Sequence, residues 1–204
     1  MNASSQIEEQ IDYAKHRFLI ITTSTIGLIG VVATAIPFLK SWEPSAQARA
    51  LGGPVEVDIG KLEAGAMMRV EWRGQPIYIV NRTAQMLATL DRDAAMLRDP
   101  NSNNTDQQPE YAKNEVRSIK PEYLVVIGVC THLGCAPMAR FQPGDRDLGA
   151  SWPGGFYCPC HGSKFDLAGR VCKDVPAPSN LKIPPYRYRD AITLIVGVDS
   201  TTPS

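Results

Sequence analysis

The longest apolar run of the chain lies near its N-terminus, where residues 18–39 (FLIITTSTIGLIGVVATAIPFL) contain no charged side chain. As a helix, this run would be roughly 33 Å long, which matches the ~30 Å hydrocarbon core of a bilayer. Lys15 and Arg17 precede it and Lys40 follows it, as interfacial anchors do. We predict a retained transmembrane helix. A cleaved signal peptide is the alternative, although its apolar region is usually only ~7–15 residues long.

After this span the pattern changes to short runs rich in Val, Ile and Tyr, separated by turn residues, which predict β-strands. The predicted strands are 55–58, 67–72, 77–81, 123–129, 155–158, 186–189 and 192–196. One short helix is predicted over 83–90, with Thr83 as its N-cap. Residues 93–120 are polar and are predicted to form a surface excursion between strands. The pattern therefore predicts an all-β domain behind a single N-terminal helix.

These patterns divide the chain into four parts. They are a polar tail at 1–17, the span at 18–39, a linker at 40–54 and the β domain at 55–204. The linker is rich in Pro, Gly and small residues, a composition that would let the domain move relative to its anchor. Nothing resembles a long, Arg-rich organelle transit peptide, which favours a bacterial protein.

Composition and charge exclude other classes of protein. The chain has 21 Lys and Arg against 21 Asp and Glu, so its formal net charge is zero. That balance argues against a basic nucleic-acid binder and against an acidic disordered tail. We therefore expect no nucleic-acid partner.

Two short segments hold four of the five cysteines and two of the three histidines: CTHLGC at 130–135 (box 1) and CPCHGS at 158–163 (box 2). Two such loops could enclose one metal centre. A Cys₂His₂ zinc site would leave two cysteines without a task. Two disulfides with incidental histidines is another alternative. A mixed iron–sulfur centre, with two thiolates on one iron and two imidazoles on the other, leaves two cysteines to tie the loops together.

The two boxes resemble the paired motifs of the Rieske iron–sulfur proteins of cytochrome bc complexes. The resemblance extends to the anchor, to the linker and to VPAPSNL at 175–181, so it covers nearly the whole chain. It implies a Rieske-type antiparallel β-sandwich with a small cluster-binding subdomain, whose loops lie at about 128–182. It also implies one [2Fe–2S] cluster.

The resemblance assigns roles residue by residue. The implied iron ligands are two cysteines and two histidines: Cys130, Cys158, His132 and His161. The other box cysteines, Cys135 and Cys160, would form a disulfide. Ser163 would donate a hydrogen bond to a cluster sulfur, and the Pro-Ala-Pro stretch at 176–178 would cover the cluster as a third loop.

The implied function is that of the bc₁ complex, a quinol–cytochrome c reductase that contributes to proton translocation. The cluster would take one electron from ubiquinol at cytochrome b, and a ligand histidine would take a proton. His161 is the first candidate for that proton and His132 the weaker one, with Leu133 at the docking tip. The domain would then swing on its linker to cytochrome c₁, which would explain a flexible tether. The implied partners are cytochrome b and cytochrome c₁ in a dimeric bc₁ complex, together with membrane lipid.

The implied disulfide predicts the orientation of the chain. Because disulfides persist on the oxidising side of a membrane, the β domain would face the periplasm of a bacterial inner membrane. Residues 1–17 would stay in the cytoplasm, which makes the chain a single-pass protein. The twin-arginine export signal of many relatives is replaced here by Lys15-His16-Arg17.

Two residues depart from the family pattern or stand outside it. Phe165 occupies a place where many relatives have Tyr, whose hydroxyl bonds a ligand sulfur. Because such donors stabilise the reduced cluster, we expect a lower midpoint potential here than in Tyr-bearing relatives. Cys172 is left over, and we expect a buried or half-buried core residue.

Overall fold

The structure is a computed structural model, and it describes residues 13–45, 52–92 and 94–199. The chain forms two compact units, an N-terminal one that contains a long helix and a larger one that contains all the strands. Most of the predicted tail (1–12) and the middle of the predicted linker (46–51) lie outside the described residues.

Helix α1 spans Tyr13–Ser41 and contains the whole predicted span. It is long and apolar enough to cross a membrane, and it has no buried residue. Two threonine hydroxyls inside it donate to main-chain carbonyls one turn earlier, Thr25 to Ile21 and Thr34 to Gly30. Each of these polar groups is therefore satisfied within the helix, as a hydrocarbon environment requires.

Among its described residues, the second unit contains nine strands and one short α-helix. The strands are β1 Val55–Asp58, β2 Met67–Trp72, β3 Gln75–Asn81, β4 Tyr123–Ile127, β5 Met138–Arg140, β6 Gly155–Cys158, β7 Ser163–Phe165, β8 Tyr186–Tyr188 and β9 Thr193–Val196. They form three antiparallel sheets with the orders β1-β9-β8, β2-β3-β4 and β5-β6-β7. The prediction of an all-β domain is confirmed.

One hydrophobic core joins the three sheets. Each sheet contributes fully or nearly fully buried side chains to it, among them Val57, Leu194, Ile79, Leu124, Phe156 and Phe165. Strand β3 lies between β2 and β4, and its residues 77–80 are buried without interruption. An unbroken apolar run is what a central strand covered on both faces needs.

The third sheet is inserted between β4 and β8, and this insertion positions the two boxes. Box 1 lies in the loop between β4 and β5, and box 2 in the turn between β6 and β7. Tyr78 on β3 links the second and third sheets, because its hydroxyl donates to the Pro137 carbonyl at 3.1 Å and its ring stacks on Phe156. Any side chain at Gly128, just before box 1, would overlap the Tyr78 ring.

The sequence missed two strands and overestimated one helix. Strands β5 and β7 have three residues each, and their extended conformation depends on pairing with β6 rather than on an apolar pattern of their own. The predicted helix is a single turn, α2, at Ala84–Leu87, with Thr83 as its N-cap. The Met86 amide donates to the Thr83 hydroxyl at 3.2 Å, so the predicted cap is confirmed.

The prediction of a surface excursion at 93–120 was wrong in part. The segment holds three short 3₁₀ helices, at Ala94–Met96, Thr105–Gln107 and Glu110–Ala112. It also buries Leu97, Ala112 and Arg117, and the polar side chains of Ser102 and Gln108. Its polar composition concealed this burial, because the buried polar groups are satisfied by main-chain carbonyls that no sequence pattern reveals.

Gly155 provides a test of how closely β6 approaches β7. Its φ is +151°, and a Cβ there would overlap the Phe165 carbonyl oxygen and lie 3.0 Å from the Asp166 Cα. Gly155→Ala should therefore lower the melting temperature, followed by circular dichroism in detergent, well beyond the effect of a positive φ alone. Gly74→Ala is the control, because Gly74 has a φ of +70° and nothing within 4 Å.

The control should lose only the ~1–3 kcal/mol of folding stability that a non-glycine residue costs in the left-handed region. Each kcal/mol lowers the melting temperature by roughly 2–4 °C. Equal melting temperatures for the two variants would contradict the close approach of β6 and β7.

Candidate metal centre

Box 1 is a tight turn that brings its two cysteines together. The Cys130 amide donates to the Cys135 carbonyl at 2.7 Å, and the Gly134 amide donates to the Cys130 carbonyl at 3.0 Å. Gly134 has a φ of +84°, a conformation that glycine adopts without strain. The turn needs glycine because of this φ and not because of crowding. Nothing lies within 4 Å of a Cβ built at Gly134.

Box 2 repeats this geometry at the tip of the β6–β7 hairpin. Cys158 and Ser163 form the last pair of the hairpin, and the Gly162 amide donates to the Cys158 carbonyl at 3.0 Å. Gly162 has a φ of +79°. In both boxes a cysteine thus opens a turn that is closed by a glycine four residues later.

The first cysteines of the two boxes meet in the interior. Cys130 and Cys158 are each only 2% exposed, and their thiols contact each other. Burial raises the pKa of the Cys158 thiol, and the adjacent Cys130 raises it further. A metal cation bound between the two thiols would favour both thiolates.

The two histidines form a second pair. The rings of His132 and His161 lie edge to face, with centroids 4.8 Å apart and planes at 88°. Nδ1 of His132 is buried and has no hydrogen-bond partner within the described part of the chain. An unpartnered buried nitrogen is costly, so a metal ion bound at this atom would remove the cost. His161 is exposed to solvent.

The donor atoms of the two boxes do not form one tetrahedral group among the described residues. A single tetrahedral zinc ion would need four donors within about 4 Å of one another. Among the described residues, the only close group of three or more possible donors is Cys135, Cys158 and Cys160, whose sulfurs lie within 4.8 Å. Two of these three sulfurs are bonded to each other. No close group among the described residues combines the thiol pair with the imidazole pair.

A disulfide between Cys135 and Cys160 joins the two boxes. It confirms the predicted pairing, which spans 25 residues of sequence. Cys130 and Cys158 lie outside any disulfide, so the alternative of two disulfides is wrong. The sulfur of Cys158 lies within 4.8 Å of both sulfurs of the disulfide, so the covalent tie is directly beside the buried thiol pair.

The predicted third loop at 176–178 belongs to a longer segment, residues 175–181, which we call the third loop from here on. It is hydrogen-bonded to both boxes. The Ala177 amide donates to the Ser163 hydroxyl oxygen at 3.1 Å, and the Thr131 hydroxyl donates to the Ser179 carbonyl at 2.6 Å. Because the oxygen of the buried Ser163 accepts from Ala177, its own proton can point to another acceptor. Nothing in the sequence indicates that Thr131 holds the third loop, because its partner Ser179 lies 48 residues away and no local pattern marks the pair.

The remaining predicted residues lie as follows. Leu133 is 72% exposed at the tip of box 1. Phe165 is fully buried on β7, two residues after Ser163 and on the same face of the strand. Cys172 is half-buried and forms a β-bridge with Leu97, which agrees with the expected half-buried core position.

Known proteins match the chain over most of its length. The family model of the Rieske [2Fe–2S] domain matches residues 55–185. The ubiquinol–cytochrome c reductase iron–sulfur subunit of Allochromatium vinosum is 53% identical over 189 residues, which cover 93% of this chain and 91% of that protein. The subunit of the same name from Blastochloris viridis is 41% identical over 181 residues, 88% of this chain and 90% of that protein.

A mitochondrial relative, the cytochrome b-c1 complex subunit Rieske of Candida albicans, is 36% identical over 95% of this chain and 83% of its own length. The family match carries with it one Rieske-type [2Fe–2S] cluster, to which the buried thiol pair and the unpartnered Nδ1 of His132 are suited. The chain belongs to the Rieske [2Fe–2S] family, among the iron–sulfur subunits of ubiquinol–cytochrome c reductase.

Proposed function

We propose that this chain is the electron-transfer subunit of a bc₁-type quinol–cytochrome c reductase. It takes one electron from ubiquinol at cytochrome b and passes that electron to cytochrome c₁. The observation that carries the proposal is the exposed His161 ring beside the His132 ring at the protein surface. A histidine that binds iron on one side and meets solvent on the other can exchange a proton where an electron is exchanged.

The ligands in this proposal are Cys130 and Cys158 for one iron and His132 and His161 for the other. The separate thiol and imidazole pairs support the assignment, and so does the buried Nδ1 of His132. When bound, the cluster supplies a one-electron acceptor whose potential is raised by its neutral imidazole ligands, to roughly −150 to +300 mV.

The two histidines have different access to a substrate. His161 is exposed, so its ring nitrogen that faces away from iron, once deprotonated, could accept a hydrogen bond and then a proton from a quinol hydroxyl. His132 is half-buried, which makes it the weaker candidate for this role. The exposed Leu133 beside it would dock in an apolar pocket of cytochrome b and help to exclude water.

The membrane arrangement follows from the helix and the disulfide. Helix α1 would anchor the chain in lipid as a single pass, and the Cys135–Cys160 bond supports placing the β domain in the periplasm. We further propose that residues 40–54 act as a hinge, so that the domain moves between the cytochrome b and cytochrome c₁ subunits of a dimeric complex. That movement would separate quinol oxidation from electron delivery and so contribute to proton translocation.

The cluster and its ligands can be tested by electron paramagnetic resonance of the full chain in native membranes. The reduced protein should give a rhombic iron–sulfur signal, and His132→Gln should lose it because one iron loses a ligand. His16→Gln is the matched control, since His16 lies in α1 away from the boxes in sequence. A silent spectrum with stoichiometric zinc in the wild type would reject the proposed ligation.

The docking role of Leu133 can be tested by Leu133→Ala. Quinol-dependent reduction of cytochrome c should fall roughly tenfold or more, because about 1.5–3 kcal/mol of apolar contact is lost. The spectrum and the midpoint potential should not change. Ile192→Ala removes a 53% exposed side chain from the β8–β9 turn and serves as the control. Equal turnover in both variants would speak against docking through Leu133.

The effect of Phe165 can be tested by Phe165→Tyr. A hydroxyl at this buried position should donate to a ligand sulfur and raise the midpoint potential, by about 40 mV for each ~1 kcal/mol of preference for the reduced state. Protein-film voltammetry measures the shift. Phe141→Tyr is the control for an added hydroxyl on a half-buried ring outside the boxes. An unchanged or lower potential for Phe165→Tyr would sink the idea.

A further inference from the structure

Arg117 is a buried cation whose partners are all uncharged. The residue is 0% exposed, and no carboxylate is paired with it in the ranges that the structure describes. Its guanidinium donates instead to four main-chain carbonyls and one side-chain amide: Ala168 O at 3.1 Å, Gly169 O at 3.3 Å, Leu181 O at 2.9 Å, Gln107 O at 3.3 Å and Gln108 Oε1 at 3.1 Å. Burial lowers the pKa of Arg117 to about 10, so the group is charged at neutral pH.

These acceptors come from three different segments. Gln107 belongs to the polar segment that precedes β4, Ala168 and Gly169 follow the box 2 hairpin, and Leu181 ends the third loop. A planar guanidinium can serve several carbonyls at fixed angles, whereas a lysine ammonium has three donors on a flexible stem. Arg117 therefore holds the end of the third loop against the rest of the domain.

The same polar segment also holds the third loop elsewhere. The Arg98 guanidinium donates to the Val175 carbonyl at 3.1 Å, at the start of the loop. Near its end, the Asn180 side chain donates to the Asp99 carbonyl at 3.1 Å and accepts from the Val171 amide at 2.9 Å. Both ends of the loop are thus tied to residues 98–117.

The middle of the loop contacts Ser163, the last residue of box 2. The Ala177 amide donates to the buried Ser163 hydroxyl, and this bond directs the hydroxyl proton away from Ala177. A hydroxyl that donates to a cluster sulfur stabilises the extra negative charge of the reduced state. Whatever fixes the loop therefore also fixes the orientation of this donor.

We propose that Arg117 is a positioning residue for the iron–sulfur centre. By holding Leu181 and the 168–169 turn, it keeps the third loop in place, and the loop keeps the Ser163 hydroxyl aimed at the cluster. The polar segment 94–120 is then the support of the cluster-covering loop. This inference rests on the proposed ligation by box 1 and box 2.

The experiment compares Arg117→Gln with Arg82→Gln in the full chain in native membranes. Arg82 is the matched control because it is also buried, at 2% exposure, and burial lowers its pKa to about 10 as well. Its acceptors are Val116 O, Pro121 O, Leu167 O and Ser118 Oγ, none of which belongs to the third loop. Each variant is followed by thermal stability and by a redox titration of the reduced-state paramagnetic signal.

Both variants should lose thermal stability, because each removes a buried guanidinium that makes several hydrogen bonds. Only Arg117→Gln should lower the midpoint potential beyond measurement error and alter the line shape of the signal. Arg117→Lys retains the charge but not the planar guanidinium. Its midpoint potential and its line shape should therefore also differ from those of the wild type. If Arg117→Gln does not accumulate, Asn180→Ala loosens the same loop and should shift the potential in the same direction.

Equal potentials in the Arg117 and Arg82 variants would overturn the proposal, and so would full restoration by Arg117→Lys, which would leave charge alone as the cause. An Asn180→Ala variant with the wild-type potential would also count against it. A wild-type membrane without the iron–sulfur signal would instead reject the proposed ligation, so the two failures are distinguishable.

Discussion

The bond between Cys135 and Cys160 is the constraint on which the site depends. The four proposed ligands lie on two turns that are far apart in sequence, and neither turn has an apolar core of its own. A covalent closure over 25 residues removes about 3.5 kcal/mol of loop entropy from the unfolded chain in the chain-entropy estimate. With the turns joined, the two buried thiols meet and the two imidazole rings lie edge to face. The disulfide thus favours the paired geometry before any iron is bound.

The turns also need a rigid base, which the second sheet provides. Tyr78, on its central strand, reaches the carbonyl of Pro137 beyond box 1, and its ring packs against Gly128 before that box. Both ends of the box 1 segment are therefore fixed to one side chain of the base. Because buried side chains sit in close-packed interiors, small shifts of such a base are transmitted to the loops that it carries.

Buried charged side chains contribute more to the order of this domain than its composition suggests. Arg82, Arg117 and the Arg170–Asp166 ion pair are all buried, and carbonyl oxygens accept most of their hydrogen bonds. Such groups are costly to bury unless every donor is satisfied, so they tolerate few alternative arrangements. The segment before β4 gains its order from these guanidinium groups together with buried apolar side chains such as Leu97 and Ala112.

Periodicity and a dense Cys/His motif are local signals, and they were enough to predict the apolar helix, seven of the nine strands in the described part of the chain, the two boxes and the family. It also indicated the Cys135–Cys160 pair through the family resemblance. The folded domain was needed to show that β5 and β7 are strands, that residues 94–120 are partly buried and that Thr131 and Arg117 hold the third loop. These features depend on hydrogen bonds to main-chain carbonyls of distant segments. Every residue carries such a carbonyl, so its use as a partner leaves no mark in the sequence and is settled only when the chain folds.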